Sequence, residues 1–76
     1  MDEHTFPRDL LEDQTAWYVT YWELAANPSA LGTAARRQRL LRLSRLVAGH
    51  PYWQSPAGTP AARMALKELA RAGAQS

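Results

Sequence analysis

The segment spanning residues 36–47, RRQRLLRLSRLV, restricts the fold more than any other part of the chain, because it is strongly patterned and contains neither glycine nor proline. At about 100° per residue, Leu40, Leu43 and Val47 fall on one helical face, and arginines gather on the opposite face. An isolated helix of this length is only marginally stable in water. The pattern therefore predicts an amphipathic helix whose leucine face is buried against the rest of the chain.

Proline and glycine residues divide the chain into three helical segments. Pro7 suits the first turn of a helix, and Pro28 pushes the residue before it out of the helical region. The predicted helices cover residues 7–26, 34–48 and 60–72. The expected N-caps are Thr33 and Thr59, and the expected stop signals are Gly49 and Gly73. Residues 1–5 and 74–76 are expected to be frayed.

These segments predict an all-α fold, a small three-helix bundle that forms a single domain over residues 1–76. A chain this short buries only about 60% of its unfolded surface, and without cysteine it has no disulfide to supplement the core. The expected core residues are Leu10, Trp17, Tyr21, Leu24, Leu40, Leu43, Val47, Trp53, Leu66 and Leu69. Thr20 is expected on the outer face of the first helix.

Charge is distributed unevenly along the chain. Residues 1–27 contain six acidic side chains and Arg8, whereas the remainder contains eight basic side chains and Glu68. Five arginines fall between residues 36 and 45 with no acid among them. The arginines are predicted to contact phosphates, to bind an acidic partner, to pair with acids of the first helix such as Glu12 and Glu23, or to form a solvated face.

The residue types that carry catalysis or bind metal are scarce. The chain has two histidines and no cysteine, and it lacks a glycine-rich phosphate loop. No spacing brings three or four metal ligands together, and His50 is expected to close the second helix by packing or bonding to a last-turn carbonyl. The sequence therefore predicts no catalytic residues, no metal, no cofactor and no small-molecule substrate.

Six tryptophan and tyrosine rings form two groups, four on the first helix and two in the second connection. Most are expected in the core, with Trp53 folded back over the first two helices, and the remainder would leave an apolar patch for a partner or a second copy. The alternative is a stacking platform for single-stranded nucleic acid. No apolar run reaches the length of a membrane span, so a cytoplasmic protein is expected.

The leading functional hypothesis is a non-enzymatic binding or regulatory module that acts through protein–protein contacts, including self-association. The alternative is nucleic-acid binding through the arginine face of the second helix. The candidate partner-binding residues are Arg37, Arg39, Arg42, Arg45, Trp22, Tyr52 and Trp53.

Four short motifs resemble those of small uncharacterised helical proteins from actinobacteria. They are Phe6-Pro7-x-Asp9-Leu10-Leu11, Gln14-x-x-Trp17, Leu40-Leu41-x-Leu43-Ser44 and His50-Pro51-Tyr52-Trp53. The resemblance implies a bacterial cytoplasmic origin, and it supplies no activity and no binding residues.

Overall fold

Three α-helices account for most of the part of the chain that the computed structural model describes, residues 5–27 and 31–75. They are α1 (Arg8–Ala26), α2 (Thr33–Ala48) and α3 (Pro60–Gln75), with a short 3-10 helix, Pro51–Gln54, between α2 and α3. The predicted all-α three-helix bundle is confirmed. The expected fraying of residues 1–4 and 76 and the stop signal at Pro28 lie outside the described residues.

The helix starts follow from local chemistry, with one correction. Thr59 caps α3 as predicted, because its Oγ1 accepts a hydrogen bond from the backbone N–H of Ala62 at 3.1 Å. Thr33 was expected to cap α2, but it is the first residue of that helix and Gly32 holds the cap position. Gly32 has φ = 87°, a left-handed conformation that costs glycine little and other residues more.

The predicted end of α3 was wrong. The helix continues through Gly73 to Gln75, so residues 74 and 75 are not frayed. Among the described residues only Gly32 has a positive φ, so Gly73 does not adopt the left-handed C-cap conformation. Ala74 is half-buried and lines the same open groove as Ala26 of α1. The packing of α3 as a whole against α1 stabilises the helix and offsets the low helix propensity of glycine.

The helix α1 lies between the other two. It packs extensively against both α2 and α3, whereas α2 and α3 make little direct contact with each other. The α2 and α3 helices therefore both lie on α1, and a gap separates them. The gap is the feature that creates the candidate site.

The core is smaller than predicted, and it contains residues that the helical pattern did not select. Among the expected members, Leu10, Leu43 and Leu66 are buried. Two others were wrong, because Tyr21 is 45% exposed and Leu69 is 50% exposed. The remaining five expected members are half-buried: Trp17, Leu24, Leu40, Val47 and Trp53.

The buried residues that the helical pattern did not select have small or polar side chains. Ala62 and Ala70 are completely buried with Leu66, because α3 presents an i, i+4 stripe to α1. Thr20 was predicted to face outward but is buried. Its hydroxyl accepts a hydrogen bond from Nε of Arg39 at 3.1 Å, and this bond from α2 satisfies the buried oxygen.

The second connection closes one end of the bundle. His50 was expected to pack against or bond a last-turn carbonyl of α2, but its Nε2 lies 3.0 Å from Oδ2 of Asp9 in α1. Its Nδ1 accepts a hydrogen bond from the backbone N–H of Tyr52 at 3.1 Å, which caps the 3-10 helix. Trp53 takes the role expected of the histidine, because its indole N–H donates to the carbonyl of Val47 at 2.7 Å.

Candidate functional site

A cleft of about 290 Å³ opens where α2 and α3 separate over α1. The floor comes from α1, one wall from α2 and the other wall from α3. The lining residues are Gln14, Trp17, Tyr18, Ser44, Val47, Ala48, Arg63 and Lys67. This volume lies at the lower end of the range for small-molecule sites, which is about 300–1,000 Å³.

The cleft floor continues into a group of four contacting rings on α1, called the aromatic strip: Trp17, Tyr18, Tyr21 and Trp22. Trp17 and Tyr21 stack one helical turn apart with centroids 5.3 Å apart and planes 6° apart. Tyr18 lies edge-on to Trp17 at 5.2 Å and contacts Trp22 at 5.8 Å. Tyr21 is exposed, and the other three rings are half-buried. The strip is therefore partly accessible to solvent and is not the buried core that the sequence favoured.

One hydrogen bond fixes the ring at the junction of the cleft and the strip. The indole N–H of Trp17 donates to Oγ of Ser44 on α2 at 2.8 Å. The bond joins α1 to α2 and restricts rotation of the indole about its side-chain torsions. The Trp17 ring is therefore held in place before any ligand arrives, which lowers the entropy lost on binding.

Gln14 is the buried polar residue of the cleft. The residue is only 7% exposed, and it lines the cleft floor. It makes no side-chain hydrogen bond to any described residue. No buried side-chain nitrogen or oxygen of the described residues lacks a hydrogen-bond partner, so the polar end of Gln14 keeps contact with solvent. Gln14 thus presents two N–H donors and one carbonyl acceptor toward the cleft opening.

The α3 wall of the cleft is basic. The guanidinium carbon of Arg63 lies 4.4 Å from the ring centroid of Trp53, a cation–π contact that orients the side chain. Lys67 follows one turn later and is exposed. No acidic residue is among the described residues that line the cleft. The electrostatic potential inside it therefore favours an anion.

The predicted partner-binding residues belong to three elements of the bundle. Trp22 belongs to the aromatic strip on α1, whereas Tyr52 and Trp53 lie in the 3-10 helix, where Tyr52 contacts Phe6 with centroids 5.5 Å apart. The predicted arginines belong to a different element, α2. The sequence prediction thus combined residues of α1, α2 and the 3-10 helix.

The arginines of α2 divide into two groups. Arg36 forms an ion pair with Glu23 of α1 at 3.6 Å, and Arg39 is hydrogen-bonded to Thr20. The other three arginines are exposed and form no ion pair within the described chain. They are Arg37, Arg42 and Arg45. The predicted pairing with acids of the first helix therefore occurs at Glu23, and no such pair forms at Arg42 or Arg45.

Sequence reasoning missed the cleft residues Gln14, Ser44, Arg63 and Lys67. Gln14 lies one turn after the buried Leu10, and this i, i+4 spacing was the available signal. Arg63 and Lys67 are exposed, and they also line the α3 wall of the cleft.

Asp9 and His50 form the second electrostatic feature of the bundle, outside the cleft. The hydrogen bond from His50 lowers the pKa of the Asp9 carboxyl below its ordinary value, and the imidazole adds a smaller charge interaction in the same direction. Asp9 remains 71% exposed, so solvent screens the pair. In the described residues no cluster of three or more histidine, aspartate or glutamate side chains has metal-binding geometry.

A family model matches residues 9–69, which is most of the chain; its description is a domain of unknown function, DUF8825. The chain belongs to the DUF8825 family. No curated protein and no solved structure matches the chain significantly. The DUF8825 match includes all eight residues that line the cleft and the whole aromatic strip. Within the described residues, no helix is sufficiently long and apolar to cross a bilayer.

Proposed function

We propose that this DUF8825 protein is a non-enzymatic binding module that engages a protein partner through the aromatic strip. The observation that carries the proposal is the exposure of the strip: four contacting rings, none buried, with Tyr21 45% exposed. A contiguous apolar patch on a small domain is typical of an interaction surface. Tryptophan and tyrosine are also the residues that contribute most binding free energy at protein interfaces.

The geometry of the strip supports binding rather than incidental exposure. Rings that stack at i, i+4 form a continuous surface along α1. Trp17 is held by Ser44, so part of the surface is ordered before a partner arrives. Tyrosine and tryptophan provide large contact areas while losing only two side-chain torsions each.

Truncation of the strip tests this proposal. Tagged parent protein is used to capture partners from the native host, alongside Tyr21→Ala and the control Leu41→Ala, whose leucine on α2 is 50% exposed. The expected result is a partner retained by the parent and by Leu41→Ala but lost from Tyr21→Ala. Capture of the same proteins by all three would overturn the proposal, provided that circular dichroism shows all three folded.

Nucleic-acid binding is the second candidate, because Arg37, Arg42 and Arg45 are exposed and form no ion pair within the described chain. The test is fluorescence anisotropy with labelled duplex DNA and RNA, for the parent and for Arg42→Glu/Arg45→Glu. If the arginines bind phosphates, affinity falls with salt at a log–log slope of roughly −0.9 per phosphate neutralised. Absence of salt-dependent binding by the folded parent removes this candidate.

We also propose a bacterial, cytoplasmic setting. The resemblance of the four motifs to actinobacterial proteins supports it, together with an arginine-rich, lysine-poor composition that is typical of GC-rich genomes. Fractionation of the native host, with an antibody to the protein, tests the location. Recovery in the membrane or culture fraction would contradict it.

A further inference from the structure

We infer that the cleft between α2 and α3 binds a carboxylate carried on a small aromatic or aliphatic group. This ligand site is additional to the protein-binding proposal. The two proposals fail separately, because the cleft is tested at Gln14 and Lys67, and the aromatic strip is tested at Tyr21.

The first argument is the unpartnered amide of Gln14. The residue is only 7% exposed, and it lines the cleft without a hydrogen bond to a described residue. Because no buried side-chain nitrogen or oxygen of the described residues lacks a partner, the Gln14 amide reaches the solvent of the cleft, and a bound ligand can replace the water at this amide. Its N–H groups fit a carboxylate oxygen, which accepts hydrogen bonds only.

The second argument is charge. Lys67 and Arg63 stand on the α3 wall, and no acidic residue is among the described lining residues, so the cleft disfavours cations and favours an anion. The Arg63 guanidinium is held over the Trp53 ring, which leaves Lys67 as the cation available to a ligand. A single amide and two cations fit a monoanion. A phosphate group requires more donors, such as several backbone N–H groups. The first turn of α3 contributes Arg63 to the described lining, and the backbone N–H of Arg63 already donates to the carbonyl of Thr59.

The third argument is the apolar remainder of the cleft. Trp17 and Tyr18 form an aromatic floor, and Val47 and Ala48 form an aliphatic wall. The volume of about 290 Å³ equals roughly ten water molecules at about 30 Å³ each in the liquid. A ligand with a single aromatic ring or a short branched chain therefore fits, with its carboxylate directed at Gln14 and Lys67.

Such a carboxylate has two sources: a free small acid, or the C-terminus of a peptide. Titration of ¹⁵N-labelled protein, followed through the indole N–H resonances, distinguishes them. Phenylacetate is the small-acid probe, with phenylacetamide as its neutral match. An acetylated tetrapeptide that ends in phenylalanine, as free acid or amide, is the peptide probe.

The expected result is a saturable shift of the Trp17 indole resonance, which lies in the cleft, with little change at Trp22. Phenylacetate or the peptide acid is expected to cause this shift, and the matched amides are not. Preference for phenylacetate assigns a small acid, and preference for the peptide acid assigns a chain terminus. Equal response to acid and amide, or no response up to about 10 mM ligand, overturns the inference, since even a weak site of Kd about 1 mM would then be near saturation.

Two variants test the assigned contacts. Lys67→Gln should weaken acid binding roughly tenfold, because it removes a charge-assisted hydrogen bond to the carboxylate. Arg71→Gln, on the same helix but outside the cleft lining, is the charge-matched control and should bind as the parent does.

Gln14→Leu preserves side-chain size and removes the amide. It should lose acid binding while its midpoint of unfolding is unchanged or higher, since the amide has no partner in the protein. Retained binding in Gln14→Leu, or equal loss in Lys67→Gln and Arg71→Gln, contradicts the inference. A lower stability of Gln14→Leu would show instead that the amide serves the fold.

Discussion

Leu43 is the single buried residue of α2, with 6% of its surface exposed. It faces the same way as Leu40 and Val47, which are only half-buried. The association of α2 with α1 thus depends strongly on one leucine, supported by the Trp17–Ser44 and Arg39–Thr20 hydrogen bonds. Truncation of Leu43 alone should therefore lower the stability of the fold substantially.

Leu43→Ala is expected to lower the free energy of unfolding by roughly 2–5 kcal/mol, through lost transfer free energy and the cavity that remains. The control is Leu41→Ala, because Leu41 is 50% exposed; it should change stability by about 0.5 kcal/mol or less. Urea denaturation followed by circular dichroism gives both values. Coincident curves for Leu43→Ala and the parent would show that α2 packs by another face.

The Asp9–His50 pair gives a residue-level prediction for acid stability. Because the hydrogen bond from His50 lowers the pKa of Asp9 in the folded state, the pair stabilises the fold above the unfolded value of about 3.9. That contribution is lost as pH falls through the lower folded pKa. Below about pH 4, therefore, thermal stability should fall more for the parent than for Asp9→Asn.

The control for this prediction is a double-mutant cycle. In a His50→Ala background the pair is already absent, so Asp9→Asn should no longer change the acid limb of the stability curve. The difference is expected to be small, since Asp9 is 71% exposed. Identical acid limbs for the parent and Asp9→Asn would show that the hydrogen bond carries no stability.

At the scale of elements, α3 illustrates how small side chains decide packing. Its buried stripe is Ala62, Leu66 and Ala70, spaced four residues apart. Rows at i±4 form the ridges that most often interlock between helices, and alanines allow the helix axes to approach closely. Leu69, three residues after Leu66, is 50% exposed.

Two glycines of the C-terminal half, Gly73 and Gly58, give opposite predictions. Gly73 lies in α3, and a Cβ there would meet nothing within 4 Å. Gly73→Ala should therefore raise the free energy of unfolding by about 0.5–1 kcal/mol, because alanine loses less backbone entropy in a helix. Thermal melts of the two proteins provide the measurement.

Gly58, in the connection between α2 and α3, is the matched comparison for Gly73. A Cβ there would lie 2.6 Å from the Cα of Trp53 and from the carbonyl oxygen of Tyr52, and backbone cannot move away easily. Gly58→Ala should lower stability by displacing the 3-10 helix. If both alanine variants shifted the melt in the same direction, the placement of one of these glycines would be wrong.

At the scale of the whole molecule, the arrangement leaves much apolar surface uncovered. With α1 packed against both neighbours and little contact between α2 and α3, side chains such as Tyr21 and Met64 remain exposed. A second copy of the chain is one partner that would cover the aromatic strip. The acidic first third and basic remainder of the chain would also favour such pairing.

Sedimentation equilibrium tests self-association directly. If the strip binds a second copy, the weight-average mass should rise above 8.5 kDa as concentration increases, and Tyr21→Ala should reduce the rise. A pure monomer at the highest concentration would remove self-association and leave a different protein as the partner. Leu41→Ala again serves as the exposed control.

The helices and most of their ends could be predicted from the sequence because they depend on interactions between neighbouring residues. The Thr59 cap, the opening Pro60 and the 3.6-residue period of α2 all act within a few residues of the chain. The exception at Gly73 is itself informative, because there the packing of α3 against α1 outweighed the local preference.

The cleft and the aromatic strip could not be predicted, because they depend on the rotation of each helix about its own axis. The apolar arc of α3 includes both Leu69 and Ala70, and its pattern alone favours the larger leucine. In the structure Ala70 is buried instead of Leu69. A small side chain at this position lets the two helix axes approach each other and adds dispersion contacts along the helix. That rotation also brings Arg63 and Lys67 to the cleft wall, because side chains on one helix turn together.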